Sequence, residues 1–228
     1  MSETENSPRS RNDGNAHRAR RVGWTQDPSA VREDILDIAT QVFAEHGLAG
    51  ARVDEIVRRT KTSKRMIYYY FGDKDGLYLK VLEAAYARVR AGEDALNLEE
   101  LDPTDALVRL VEFTFDFHRE NPHFVRLVAI ENIHNAEFMA RSERILKVNS
   151  PAIGKLRDIC QKGIEAGQFR ADLDPVELHW LISSSCVFNV SNRDTFEHLF
   201  GSQLFTKSGQ DRLKALVVRS VCNSVLLA

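Results

Sequence analysis

The sequence predicts an all-α fold of about nine helices. Apolar residues recur at i, i+3, i+4, i+7 wherever a pattern is clear, and no segment alternates with the period of a strand. In addition, the dipeptide Asp-Pro opens three of the patterned segments, at Asp27-Pro28, Asp102-Pro103 and Asp174-Pro175. Aspartate there accepts the free amides of a first helical turn, and proline sits where its missing N–H costs nothing.

Ile35, Ile38, Ala39, Val42 and Phe43 form the stripe of the first helix, which Gly47 ends. A short helix Val53 to Thr60, a turn near Lys61 and Thr62, a helix Ser63 to Phe71, a Gly72-Asp73 break and a long helix from Lys74 to about Gly92 follow. Leu107, Leu110, Val111, Thr114 and Phe117 mark the next helix until Asn121-Pro122 stops it, and an apolar helix then runs from Phe124 to Ile133. Ser142 to Gln168 reads as a long helix, bent or restarted at Ser150-Pro151 and stopped by Gly167. The last pair spans Pro175 to about Arg193 and Gln210 to about Leu226.

Composition narrows the class. The 228 residues are 43% hydrophobic and 28% charged, ordinary for a folded globular chain. The longest apolar run, Phe124 to Ile130, is broken by Arg126 and falls short of the ~18 residues of a membrane span. Met1 to Gly14 is polar, so no secretory signal is visible and a cytosolic protein without membrane contact is expected. Cys160, Cys186 and Cys222 are odd in number and lie in apolar helical patterns, which fits buried thiols. GxSxG, HExxH, P-loop and dinucleotide motifs are all missing and the seven histidines stand singly, so neither an enzyme nor a resident metal or cofactor is expected.

The net charge of -2 hides an uneven distribution. Arg9 to Arg21 carries five arginines against Asp13, and Arg52 to Lys74 carries seven bases against three acids, while residues 75 to 228 hold 18 bases and 22 acids. The N-terminal part is suited to phosphate and the rest is not. Within residues 53 to 71, two short helices joined by a tight turn, with Val53, Ile56, Val57, Ile67 and Phe71 to pack them, read as a helix-turn-helix.

The segment from Val31 to about Ala91 resembles the TetR family of bacterial regulators. The resemblance rests on Arg52-Val53, Ile56-Val57, Thr60-Lys61-Thr62-Ser63, Tyr68-Tyr69-Tyr70-Phe71 and the Gly72-Asp73-Lys74-Asp75-Gly76-Leu77 cap. Two places depart from the family pattern: Lys61 stands where a turn glycine is usual, and Arg65-Met66 replace a common Gly-Thr. The local charge reads as a disordered basic arm over 1–28, and the resemblance implies a DNA-binding domain over 29–91 and an effector-binding and dimerisation domain over 92–228. It implies phosphate contacts for Arg52, Ser63, Tyr68, Tyr69 and Lys74, and base-edge contacts for Lys64, Arg65 and Met66, with Arg65 the foremost candidate for guanine.

It further implies a homodimeric repressor, released from a palindromic double-stranded operator by a small apolar or aromatic effector. Leu178, Leu181, Ile182, Ser185, Leu213, Leu216, Val217 and Val221 would form the dimer interface, or else intramolecular core. Phe113, Phe117, Phe124, Leu127 and Trp180 would wall the effector cavity, with Asn132, His134, His118 and Ser185 as its polar groups. Two rival readings remain: a metal-responsive helical regulator using His118, His123, His134 or His179, and a helical protein-interaction module, which would not need the basic recognition helix.

Overall fold

The computed structural model describes residues 27–227, so the basic arm expected over 1–28 lies almost wholly outside the described residues. Ten α-helices follow in order: α1 Pro28–Gly50, α2 Val53–Arg59, α3 Lys64–Phe71, α4 Lys74–Asp94, α5 Pro103–Glu120, α6 Pro122–Ile133, α7 Glu143–Glu165, α8 Pro175–Ser191, α9 Arg193–Phe200 and α10 Lys207–Val225. The all-α expectation holds. A single isolated bridge between Phe169 and Leu226 is the only β pairing among the described residues. No described helix is long and apolar enough to cross a membrane.

Local chemistry sets most boundaries where the sequence put them. Asp27, Asp102 and Asp174 each accept a backbone N–H of the turn they open. Gly47, at φ +66, breaks α1, and Gly167, at φ +67, follows the end of α7; both adopt a left-handed backbone that a side chain would strain. Pro151 neither stops nor restarts α7. Proline removes the donor that would reach the Lys147 carbonyl, and the Ser150 hydroxyl donates to that carbonyl instead, at 3.2 Å. The tenth helix is α9, which buries none of its residues and so leaves no core-facing stripe in the sequence. The start of α10 lies three residues before the expected Gln210, because Thr206 caps it by accepting the Gly209 N–H.

Two apolar cores result. One gathers α1 to α4 around Ile35, Phe43, Ile56, Ile67 and Tyr78, and draws in Leu127, Phe138 and Ile145 from beyond α5. The other packs α5, α7, α8 and α10 around Leu107, Phe115, Leu156, Phe169, Ile182 and Val221. The boundary expected at 91/92 falls within the last turn of α4, which runs from the first core into the second half of the chain. Cys160, Cys186 and Cys222 are free and buried, and burial pushes the Cys186 thiol up to about 12.

Two glycines of α7 make a matched test. A Cβ at Gly163 would lie 2.1 Å from the Phe169 ring, whereas one at Gly154 meets nothing within 4 Å. Gly163→Ala is expected to destabilise the protein by ~1–3 kcal/mol through overpacking. Gly154→Ala is expected to stabilise it by ~0.5–1 kcal/mol, and chemical denaturation of the two variants reads both signs.

Candidate nucleic-acid interface and ligand cavity

The interface is built on α3. The Ser63 hydroxyl accepts the Met66 N–H at 3.3 Å and fixes the helix start, while Ile67 and Phe71 are buried and anchor its inner face. The outer face presents Lys64, Arg65, Tyr68 and Tyr69, with Tyr69 78% exposed; Met66 is half-buried. Lys61 needs no glycine-like backbone, since its φ is not positive, and the Thr60 hydroxyl stays on the Ile56 carbonyl at 2.9 Å.

Charge pairing sorts the basic side chains. Lys64 donates to Asp54 of α2 at 2.9 Å, a bond that lowers the Asp54 carboxyl and raises the Lys64 ammonium. Arg59 is engaged with Glu45, Glu55 and Gln41. Arg52, Arg58, Lys61 and Arg65 are exposed and have no ion-pair partner among the described residues, so their charge faces outward. Neither Arg58 nor Lys61 is among the DNA contacts expected from the sequence.

Lys74 is engaged within its own chain. Its ammonium donates to the carbonyls of Leu48 at 2.8 Å and Ala51 at 3.4 Å, tying the start of α4 to the end of α1. Free carbonyls at a helix C-terminus attract a cation, and a phosphate would have to compete with them for this lysine.

The best-enclosed cavity, about 190 Å³, lies between α4, α5, α6, α7 and α8. Its apolar wall includes Tyr86, Val89, Leu110, Phe124, Val125 and Ile182, and its polar groups include Arg90, Glu93, His118, Asn149, Lys155 and His179. Of the expected lining residues only Phe124 and His118 are there. Leu127 is fully buried in the first core, Asn132 and His134 are exposed, and Phe113 packs under Gly92 and against Phe117. Ser185 donates to the Leu181 carbonyl, and Trp180 is 70% exposed on the outer side of α8.

The expected dimer residues need a similar correction. Leu178, Ile182, Val217 and Val221 are core of their own chain, Leu181 and Leu213 pack against that core, and Leu216 alone of the leucines and valines is exposed. The physical reason is that α8 is apolar on two faces. The outward stripe is Val176, Trp180 and Phe188, four and eight residues apart, which the inner stripe masks in the sequence. The four histidines of the metal reading do not converge. His118 and His179 line this cavity, while His123 and His134 line separate surface hollows. The one group close enough to hold an ion among the described residues is Glu45, His46 and Glu55, largely exposed and already paired with Arg59.

Burial holds His118 below its ordinary imidazole range, opposed by its bond to the Thr114 carbonyl and reinforced by the Arg90 charge. Burial, then Arg90 and His118, depress His179 likewise. The unfolded chain, with imidazoles near ~6.5, therefore takes up more protons than the folded one as pH falls through that value, and stability falls with it. The melting temperature is expected to drop between about pH 7.5 and about pH 5.5 and to drop less in His118→Phe; equal drops would show that His118 contributes nothing to it.

Residues 35–81 match the family described as bacterial regulatory proteins, tetR family, and residues 103–221 match the Tetracyclin repressor-like, C-terminal domain. The HTH-type transcriptional repressor NicS of Pseudomonas putida is 36% identical over 185 residues, 81% of this chain and 87% of that protein. The HTH-type transcriptional repressor SCO4008 of Streptomyces coelicolor is 32% identical over 121 residues, 52% of this chain and 59% of that protein. A TetR transcriptional regulator from Chloroflexus aurantiacus, solved by crystallography, superposes with a TM-score of 0.66 at 23% identity, covering 88% of this chain and 98% of that one. With a capped, outward-facing recognition helix and both halves matched, the chain belongs to the TetR family and is a ligand-responsive DNA-binding regulator.

Proposed function

We propose that the protein is a homodimeric repressor whose α3 helices enter successive major grooves of a palindromic operator, and that a small molecule in the α4–α8 cavity releases it. The observation that carries the reading is the outer face of α3, where Arg65 is unpaired while Ile67 and Phe71 hold the helix from behind. Arg65 reads a base edge, guanine being the usual partner of an arginine. Tyr68, Tyr69, Arg52, Arg58 and Lys61 hold phosphates. Residues 29–91 form the reading head.

The dimer face is the outward stripe of α8, Val176, Trp180 and Phe188, with Leu216 of α10. Large apolar side chains exposed on two long helices suit a second copy, and a two-headed reader needs one to span half-sites about one helical turn apart.

Coupling runs through α6. Phe124, Val125 and Val128 of its first turns line the cavity, and Glu131 near its end is buried against α4. Tyr78 O–H donates to Glu131 Oε1 at 3.0 Å, and the amides of Phe138 and Met139 donate to Oε2 at 3.2 and 2.9 Å. A ligand that favours another position of α6 shifts α4, and with it the separation of the two α3 helices.

Duplexes selected by the protein from a random pool, measured by fluorescence anisotropy across salt, test the reading. Sequence-specific, salt-sensitive binding is expected, and binding no tighter than to random duplex would sink it. Arg65→Ala is expected to cost ~1–3 kcal/mol and to relax selectivity at one position of each half-site. Tyr78→Phe, which removes the α4–α6 hydrogen bond and leaves the cavity lining unchanged, is expected to bring effector affinities with and without operator at least about fivefold closer together; an unchanged ratio would remove Tyr78 from the coupling.

A further inference from the structure

The cavity assigned above to the effector holds a charge arrangement that its apolar walls do not explain. Arg90 is partly buried, with its side chain 14% exposed, and one Nη donates to Glu93. Its Nε–H is fully buried and has no acceptor among the described residues. A buried cationic donor without a partner is costly, and the matching partner for that edge of a guanidinium is a carboxylate. A second cation, Lys155 of α7, also lines the cavity and pairs with exposed Asp94.

His118 does not compete for an anion. His118 Nδ1 lies 2.6 Å from the Thr114 carbonyl and so carries a proton there, leaving Nε2 as an acceptor on the neutral ring that its burial favours. The one acid on the wall, Glu93, is taken by Arg90, which leaves no free group to recognise a cationic ligand. Beside the charges lie aromatic rings: Tyr86, one turn before Arg90 on α4, meets Phe124 at 5.3 Å between centroids and 83°, and His118 lies 5.7 Å from Phe124. A volume of about 190 Å³ is below the ~300–1,000 Å³ usual for drug-sized ligands and suits a smaller one.

We propose that the effector is a small single-ring aromatic carboxylate, with its carboxylate on the free Nε–H edge of Arg90 and its ring against Tyr86 and Phe124. The assignment rests on the cavity being the effector site, and the test separates the two. Calorimetric titration of the full chain with benzoate, benzamide and hexanoate compares charge and ring independently. Benzoate is expected to bind at least about tenfold tighter than either of the others. Arg90→Lys, which keeps the charge that balances Glu93 but lacks the planar edge, is expected to lose about tenfold for benzoate and nothing for benzamide. Arg90→Gln should act in the same direction.

Benzamide or hexanoate binding as tightly as benzoate overturns the proposal, as does failure of all three to bind, or benzoate binding indifferent to both Arg90 variants. The same compounds are then added to the complex with selected duplex. If benzoate binds through Arg90 without releasing DNA, the ligand class stands and the effector reading falls. If a neutral ring or an aliphatic acid releases DNA and benzoate does not, the effector reading stands and the ligand class falls.

Discussion

A buried carboxyl at the end of α6 fixes how the two halves of this chain meet. Glu131 is 2% exposed, and an acid so placed is tolerated only when its oxygens are occupied. Its three donors come from two directions: the Tyr78 hydroxyl from α4, and the Phe138 and Met139 amides from the turn beyond α6. That turn doubles back through Asn135 and Ala136, both at positive φ, a conformation costing non-glycine residues of order 1–3 kcal/mol each. The turn is stabilised by the Ala136 N–H on the Glu131 carbonyl and by burial of Phe138 on Tyr78. Tyr78 in turn meets Phe43 of α1 edge to face at 5.0 Å, so α1, α4 and α6 close on one point.

A second tie lies just over one turn along α4, where the Ser142 hydroxyl donates to buried Glu83 at 2.9 Å while capping α7. The long helix that leaves the reading head is thus held at Tyr78 by α6 and at Glu83 by the start of α7. Beyond those ties, the same helix supplies Tyr86, Val89, Arg90 and Glu93 to the cavity. Cavity and DNA face therefore share α4 directly and α6 indirectly. The span from Phe124 to Glu131 is two helical turns, roughly 10 Å of rigid backbone, short enough for a small displacement at one end to be felt at the other. A ligand achieves this only by binding the two arrangements unequally.

The helices were legible wherever a cap or a stripe was chemical. Asp-Pro at 27, 102 and 174, Gly47, Gly72-Asp73, Asn121-Pro122 and Gly167 act through their own backbone and side-chain bonds, so no tertiary context was needed. The recognition helix was legible for the same reason, with Ser63 as its cap and buried Ile67 and Phe71 four residues apart after it. Three things were not. Lys74 carries the charge of a phosphate ligand, and only the fold reveals that two carbonyls of α1 and its following loop take that charge. In α8 apolar residues occupy two faces, and nothing in their spacing tells the inner stripe of Leu178, Ile182 and Cys186 from the outer one of Val176, Trp180 and Phe188. The cavity was hardest of all, because its polar groups come from four helices and, His118 apart, Arg90, Glu93, Lys155 and His179 each look like surface residues in sequence.

The central claim is that occupation of the cavity moves the reading heads of a dimer through α4 and α6. The most direct measurement is the distance between spin labels placed at exposed Glu33→Cys of α1 in both protomers, the native cysteines being buried and slow to react. With operator bound, one narrow distance is expected; an effector that releases DNA should shift that distribution by several ångströms in the absence of DNA. An effector that releases DNA while leaving the distribution unchanged would contradict the account, because release would then not travel through the helices that join the cavity to the reading head.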